Sequence, residues 1–299
     1  MTLRIADVSD FQETVDWAAY KASGRLGAIC KATEGTNFTA ATFRQNRTGM
    51  EGLIFRGLYH FGRQANDPAA DARHFCDVVG TLSPGEVPVL DAEHTADRQG
   101  NFVIGPDAAW CLGWASTVTK RLGVAPGLYF SESYFSDRLG SDDRLSSAFR
   151  FFWVAAFRKR PRPTIPGTQL WQSTNGLIGN VSVVAGVPAT SALPAERCDD
   201  SEFEGSLMDL ADLAGGPARG GELNPNTHKE DDGMRLIGVG KRGIFLVSAS
   251  IDPATGKVVA RQVDSPDRVV ELVKSGVVAD FNPKDNLSDG SFDQFFTVV

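Results

Sequence analysis

Up to about Gly205 the chain alternates short β-rich runs with longer amphipathic stretches, and few architectures accommodate that order. The β-rich runs are "LRIADVS", "LGAICKATEG", "GLIFRGLYHFG", "VPVLDAE", "PGLYFS", "FFWVAAF" and "TQLWQS". Between them, Pro68 to Val79 opens on a proline and repeats Ala69, Ala72, Phe75, Cys76 and Val79 at helical spacing, and Pro106 to Leu122 places Trp110, Trp114 and Val118 on one helical face. Strands joined through helices run parallel, since a tight hairpin has no room for a crossover. The first 205 residues therefore predict an α/β domain whose seven or eight strands form a barrel or a partly closed, barrel-like sheet.

After "EFEGS" the composition turns to Gly, Pro, Asn and charge, which predicts a linker over 206–233. From Met234 the pattern resumes with "MRLIGVG", "GIFLVSA" and "KVVARQV", then a helix from Ser265 with Pro266 to a stop at Gly276, and closing strands "VVADFN" and "FDQFFTVV". Residues 234–299 thus form a small α+β module near the lower size limit for independent folding.

The run "EVPVLDAEH" ends a core-like strand on acids. In an extended strand Asp91 and Glu93 share a face while Ala92 points away. Two such carboxylates disfavour each other's ionised forms, so one can hold a proton near neutral pH while the other stays charged. The first strand likewise brings Asp7 towards its carboxyl end, where parallel α/β sheets bind ligands. A lone acid at a strand end also serves as a cap, and for Asp7 taken singly both readings stand. Aromatic residues gather at the same ends: Tyr59 with His60 and Phe61, Tyr129 with Phe130, Trp153, and Trp171 with Gln172. Such rings either fill a core or offer faces on which sugars stack, and beside paired carboxylates the second reading points to glycosidic cleavage.

A formal net charge of −7 argues against nucleic acid or an anionic membrane as partner. Cys30, Cys76, Cys111 and Cys198 lack zinc-site or redox spacing and read as buried free thiols. "MTLRIADVSDF" has no apolar run before its acids, so the expectation is synthesis without a signal peptide. No stretch approaches the ~20 apolar residues that span a bilayer.

In order along the chain, "DVSDFQ", "VDW", "KATEGTNF", "FRQN", "GLYHF", "DPAADARHF", "VPVLDAE", "WCLGW", "PGLYFS", "WVAAF", "LWQS" and "DDSEFEG" resemble glycoside hydrolase family 25, the Chalaropsis-type lysozymes used by many phages as endolysins. The resemblance spans residues 1 to about 205. It implies a flattened, incomplete TIM-like barrel whose acidic groove cuts the β-1,4 bond between N-acetylmuramic acid and N-acetylglucosamine of bacterial peptidoglycan, with no cofactor and no metal. By motif it implies Glu93 as general acid, Asp91 as the partner of the substrate's acetamido group, and Asp7 as the first strand's groove acid. The family's later aspartate aligns with Asp199, in "DDSEF", with Ser201 at the usual Asn, and Asp200 competes for the place. The intervening "STNGLIGNVSVVAGVPATSALPAERC" is expected to form a long loop over the groove. Tyr59, Phe61, Tyr129, Trp153, Trp171 and Glu34 are the expected substrate contacts, with a Lys31–Glu34 ion pair at the rim as the simpler role for Glu34.

An endolysin of this build implies a wall-binding tail, made in the host cytoplasm with the rest of the chain and released through holin-formed lesions. From Asp231 on, eight basic against ten acidic residues disfavour electrostatic capture of anionic wall polymers, which leaves apolar contacts around Phe281, Phe292, Phe295 and Phe296, or self-association. Three classes stay open: a muramidase, a chitin-directed glycosidase on the same scaffold, and a carbohydrate-binding protein without turnover. The oligomeric state is open too.

Overall fold

The structure, a computed structural model, describes residues 2–97, 99–140, 142–158, 162–215, 235–239, 243–251, 258–263 and 296–298. The chain divides into two units, Met1–Gly220 and Gly221–Val299.

In the first unit the strands are β1 (Thr2–Val8), β2 (Gly27–Glu34), β3 (Phe38–Thr39), β4 (Phe55–Phe61), β5 (Glu86–Asp91), β6 (Thr95–Ala96), β7 (Phe102–Val103), β8 (Gly127–Ser131), β9 (Phe152–Ala155), β10 (Thr168–Thr174) and β11 (Asp199–Glu204). The helices are α1 (Trp17–Ala22), α2 (Phe43–Gly49), α3 (Pro68–Val79), α4 (Ala108–Leu122), α5 (Glu132–Tyr134) running into a π turn at Phe135–Leu139, α6 (Arg144–Ala148) and α7 (Leu207–Gly215). The main sheet runs β1-β11-β10-β9-β8-β5-β4-β2-β3, and β1 also pairs with β2, so eight strands close a ring with β3 outside it. Seven of the eight are mutually parallel; β11 is antiparallel to both β10 and β1. The barrel-like α/β fold expected from the alternation is thus present, and what is incomplete is the outer helical layer.

Local signals explain the two long helices. Pro68 at the first helical position needs no N–H partner, and the Asp67 carboxylate accepts from Ala69 N at 2.7 Å. Asp107 caps α4 at Trp110 N, which starts that helix two residues after the expected Pro106, and Gly123 stops it with φ 73°. Strand alternation divides the core. Ala28, Cys30, Leu58, Leu90, Leu128, Phe130 and Val154 join Phe75, Cys76, Trp110 and Trp114 under the helices. Residues of the other parity turn inwards: Gly57 seats Ile29, Gly127 seats Phe151, and the rings of Phe55 and Phe151 meet edge to face. All four cysteines are free and buried, as their spacing predicted.

The segment 175–198 departs from expectation. Only its tip, a turn closed by the Thr174–Gly179 bridge, stays at the barrel end. The remainder forms a strap along the outside of β1 and β11 towards α1, where Val184 and Val187 enter the helix-side core and Gly186 O accepts from Asp16 N at 2.8 Å. A Cβ on Gly186, whose φ is 83°, would lie 2.2 Å from Asp16 O, so the close approach requires glycine. The strap does the work of a crossover helix because β11 returns antiparallel and leaves that face bare.

The expected boundary at residue 205 also moves. α7 lies within the stretch expected as linker, packs against β4 and β5, and buries Leu210, Leu213 and Ala214. The second unit contains β12 (Arg235–Val239), β13 (Gly243–Ile251), β14 (Val258–Val263) and β15 (Phe296–Val298), paired in that order, with β14 and β15 parallel and the others antiparallel. The remainder of the expected linker (216–233), the helix at Ser265–Gly276, the run 277–282 and Phe281, Phe292 and Phe295 lie outside the described residues.

Candidate active site

Parallel strands end together, and here their carboxyl ends surround a groove lined with acids. Asp7 is the last but one residue of β1, Asp91 ends β5, and Glu93 follows two residues later, after Ala92 N has made one more ladder bond to Tyr129 O at 2.9 Å. Because β11 is antiparallel, its first residue lies at this same end: Asp199 stands directly opposite Asp7. Asp200 has the other parity. It is fully buried on the strap side, held by Arg25 at 2.7 and 3.1 Å and by Arg4 and Ser182. The competition between Asp199 and Asp200 is therefore decided by strand parity, and Asp199 is the residue in the groove.

Crowding four carboxylates into a partly dry cleft alters their proton affinity. Burial, and then the charge of Asp199, lifts Glu93 to about 7, with Lys31 opposing. Burial followed by Asp200 lifts Asp199 to about 6. Asp7 and Asp91 are raised well above the carboxylate range, again chiefly by burial, with Asp199 acting on Asp7 and Glu93 on Asp91. The Asp91 Oδ1 atom is buried with no hydrogen-bond partner. Such an atom costs stability unless it is protonated or a ligand donates to it.

The expected contacts differ in burial and in the partners they hold. Tyr59 and Tyr129 border the acids, and burial with the nearby carboxylates raises both phenols. The Tyr129 hydroxyl donates to Gln172 at 2.9 Å, and its ring leans on Trp153, with centroids 4.5 Å apart. Trp153 is 2 % exposed and donates Nε1–H to Ser201 Oγ at 2.9 Å, which makes it floor rather than platform. Trp171 is a correction. It has the parity of Asp200, is fully buried outside the ring, and donates its Nε1–H to Ala156 O at 2.9 Å, so no sugar can reach it. Phe61 lies beneath Lys31 and Arg63 as a cation–π base. Glu34 accepts from Lys31 at 2.6 Å and from Arg63, and these partners hold its carboxyl below the usual range against burial. The rim ion pair is present as expected.

Two features escape sequence reasoning. Of the eight exposed large hydrophobic residues among those described, Phe11, Phe38, Phe102, Ile104, Phe157, Leu177 and Ile178 all follow strand carboxyl ends, and only Val183 lies on the strap. The second is how Glu93 is held. His94 Nδ1 accepts from Gly105 N at 3.1 Å, Nε2 meets Asp137 at 3.0 Å, and the ring packs between Phe102 and Tyr134. A Cβ on Gly105 would stand 2.2 Å from Glu93 O and 2.5 Å from the Tyr134 hydroxyl. Gly105→Ala is thus expected to push the Glu93 backbone aside and to lower turnover by about 10-fold to 100-fold, given the sensitivity of catalysis to misplacements near 1 Å. Michaelis parameters measured on a variant with a cooperative thermal transition check this; wild-type turnover would show that the contact does not place the acid.

Residues 6–179 match Glycosyl hydrolases family 25. Lysozyme M1 of Streptomyces globisporus is 30% identical over 237 residues, an alignment covering 71% of this chain and 71% of that protein. The bacterial lysozyme of Streptomyces coelicolor has a similar structure, with TM-score 0.60 and 28% identity over 71% of this chain and 96% of its own. The structure of the CTP1L endolysin is similar at TM-score 0.53 and 19% identity, covering 99% of this chain and 92% of that one.

Proposed function

This chain belongs to glycosyl hydrolase family 25, and on that footing we propose that its four-acid groove hydrolyses the β-1,4 bond between N-acetylmuramic acid and N-acetylglucosamine in bacterial peptidoglycan. The observation that carries the reading is Glu93 beside Asp91, half-buried among the acids at the strand ends, its carboxyl lifted to about 7, so that a large share of it keeps its proton near neutrality. An acid must bring its proton to the leaving oxygen, and a pKa near the working pH serves that task.

In the step that follows from this, Glu93 gives its proton to the glycosidic oxygen as the C1–O bond breaks. The substrate's acetamido oxygen closes on the anomeric carbon, and the unpaired Asp91 Oδ1 accepts the acetamido N–H, orienting that group. Water then attacks C1, losing a proton to the Glu93 carboxylate. Asp7 and Asp199, across the groove, face the positive charge that develops at the ring, and such preorganised charge is worth most in a partly dry site. Tyr59, Tyr129 and the rim aromatics supply faces for sugars on either side.

The family's use in phage lysis and the two-unit build support a finer reading: an endolysin released through holin-type lesions, with the second unit docking on the wall. The test of the main reading is chemical. Purified peptidoglycan digested with the protein and then reduced should yield new muramic acid ends. Glucosamine ends, or cleavage of chitin, would replace the reading with a chitin-type glycosidase, and binding without fragments would replace it with a carbohydrate-binding protein.

A further inference from the structure

Beneath the acid cluster, Gln172 of β10 is gripped at both ends. It is 3 % exposed, its Oε1 accepts the Tyr129 hydroxyl proton at 2.9 Å, and its Nε2–H donates to Asp7 Oδ2 at 2.9 Å. Tyr129 is itself fixed by Trp153, and Trp153 by Ser201. Side chains from β1, β8, β9, β10 and β11 thus form one floor network ending on a groove acid.

A primary amide has direction. Its oxygen only accepts and its nitrogen only donates. With the tyrosine hydroxyl on the oxygen, the nitrogen faces Asp7, and Oδ2 must then be an oxygen without a proton. A proton there would force the amide to turn over and Tyr129 to become an acceptor. Buried chains of this kind, fully satisfied, hold one arrangement. The acids that act on Asp7 work in the opposite sense: Asp199 beside it, Asp200 from the far face of β11 and Glu93 after β5 all favour its protonation, as does burial. Asp91, Tyr59 and Cys198 are also close enough to interact with it, and the groove's cation, Lys31, acts on Asp91 and Glu93.

We propose that Gln172 is a positioning residue for bond cleavage: clamped by Tyr129, it holds Oδ2 of Asp7 as an acceptor and favours the ionised carboxyl against the burial and acids around it, so that Asp7 can stand as negative charge opposite the sugar ring as that ring becomes positive. The assignment rests on the groove being a glycosidase site. It distinguishes Asp7 from the acids around it by its hydrogen bonds, whereas Asp91 has an oxygen with none.

The experiment is the pH profile of Gln172→Met, a substitution of similar length that can neither donate nor accept there. Losing a hydrogen bond to a charged group should let Asp7 take its proton at higher pH, so the acid limb of kcat moves up by about one pH unit. kcat at pH 5 is expected to fall about 10-fold while KM stays within about twofold. Tyr129→Phe, which releases the amide without removing it, should move the limb in the same direction by less, and it serves if the first variant does not fold. In an Asp7→Asn background, with its residual turnover, Gln172→Met should leave the profile where it is. An even loss of kcat at every pH, an unmoved acid limb in both variants, or full additivity with Asp7→Asn would overturn the proposal. Wild-type protein that releases no muramic acid ends would instead refute the glycosidase reading beneath it.

Discussion

Glu93→Gln is expected to abolish turnover and, at neutral pH, to make the protein more stable. The amide matches the acid in shape but has no proton to give, and loss of a general acid removes about 10²-fold to 10⁴-fold in rate. Residual activity above a few per cent of wild type in a turbidity assay would sink the assignment. The stability arm follows from linkage. Folded Glu93 keeps a proton up to about pH 7 that the unfolded chain releases in the ordinary carboxylate range. Between those two values the folded state binds more protons, so stability falls as pH rises through the window and levels off above it. The substitution removes that slope. At pH 7.5 the variant should melt a few degrees above wild type, a gain on the order of 1 kcal/mol or more, and at pH 4 the two should melt together. A variant that melts lower than wild type at both pH values would mean that the carboxyl stabilises the fold, contrary to its crowding among acids. The same pH dependence should appear in wild-type kinetics as loss of kcat above about pH 7. Sedimentation of the inactive variant with purified wall tests separately whether binding survives without cleavage.

Most of the barrel was legible because burial imposed a period on the residues. β4, β5, β8 and β10 fall within a few residues of the runs "GLIFRGLYHFG", "VPVLDAE", "PGLYFS" and "TQLWQS", and α3 has the expected bounds. β11 was not legible as a strand. "DDSEFE" alternates acids with small and aromatic residues and has the composition of a turn, since the partners of its outward acids, Arg4 and Arg25, lie about 175 to 200 positions earlier in the chain. Periodicity sees only local sequence, and a strand whose polar face is satisfied by distant arginines carries no local apolar signal. The strap misled for a related reason: its small residues and prolines look like a solvent loop, and only the antiparallel return of β11 opens the apolar face that Val184 and Val187 fill. At the strand ends Asp7, Asp91 and Glu93 come together with Asp199, which strand parity and not motif order sets there in place of Asp200, whereas Trp171 faces away. "LWQS" read as aromatic next to polar, but in a strand the two adjacent side chains face opposite sides. Gln172 took the inside and Trp171 the outside.

The adjacent aspartates Asp199 and Asp200 should respond oppositely to substitution. Asp199→Asn relieves a groove acid of charge among like charges, so its expected effect is a fall in kcat of about 10-fold to 10³-fold, with an unchanged or slightly raised melting temperature. Asp200→Asn acts on the fold. Arg25, 8 % exposed, donates to both oxygens of Asp200 and also holds the strap through Val183 O at 3.0 Å. With one carboxylate gone, a guanidinium stays buried without its counter-charge, and breaking such a pair costs about 3–5 kcal/mol. Strap and α1 should loosen together, since Asp16 and Gly186 join them, and a protease should cut within 180–197 in the variant before it cuts wild type. A second arm separates charge from packing. Replacing the pair together, Arg25→Met with Asp200→Leu, removes the stranded charge as well as the attraction, and apolar replacement of a buried pair is often neutral. Arg4, which also reaches Asp200, keeps Glu202 as a partner in that double variant. Its stability should therefore recover most of what Asp200→Asn loses. If Asp200→Asn instead melts like wild type while losing turnover, Asp200 belongs to the chemistry and the parity assignment of β11 is wrong.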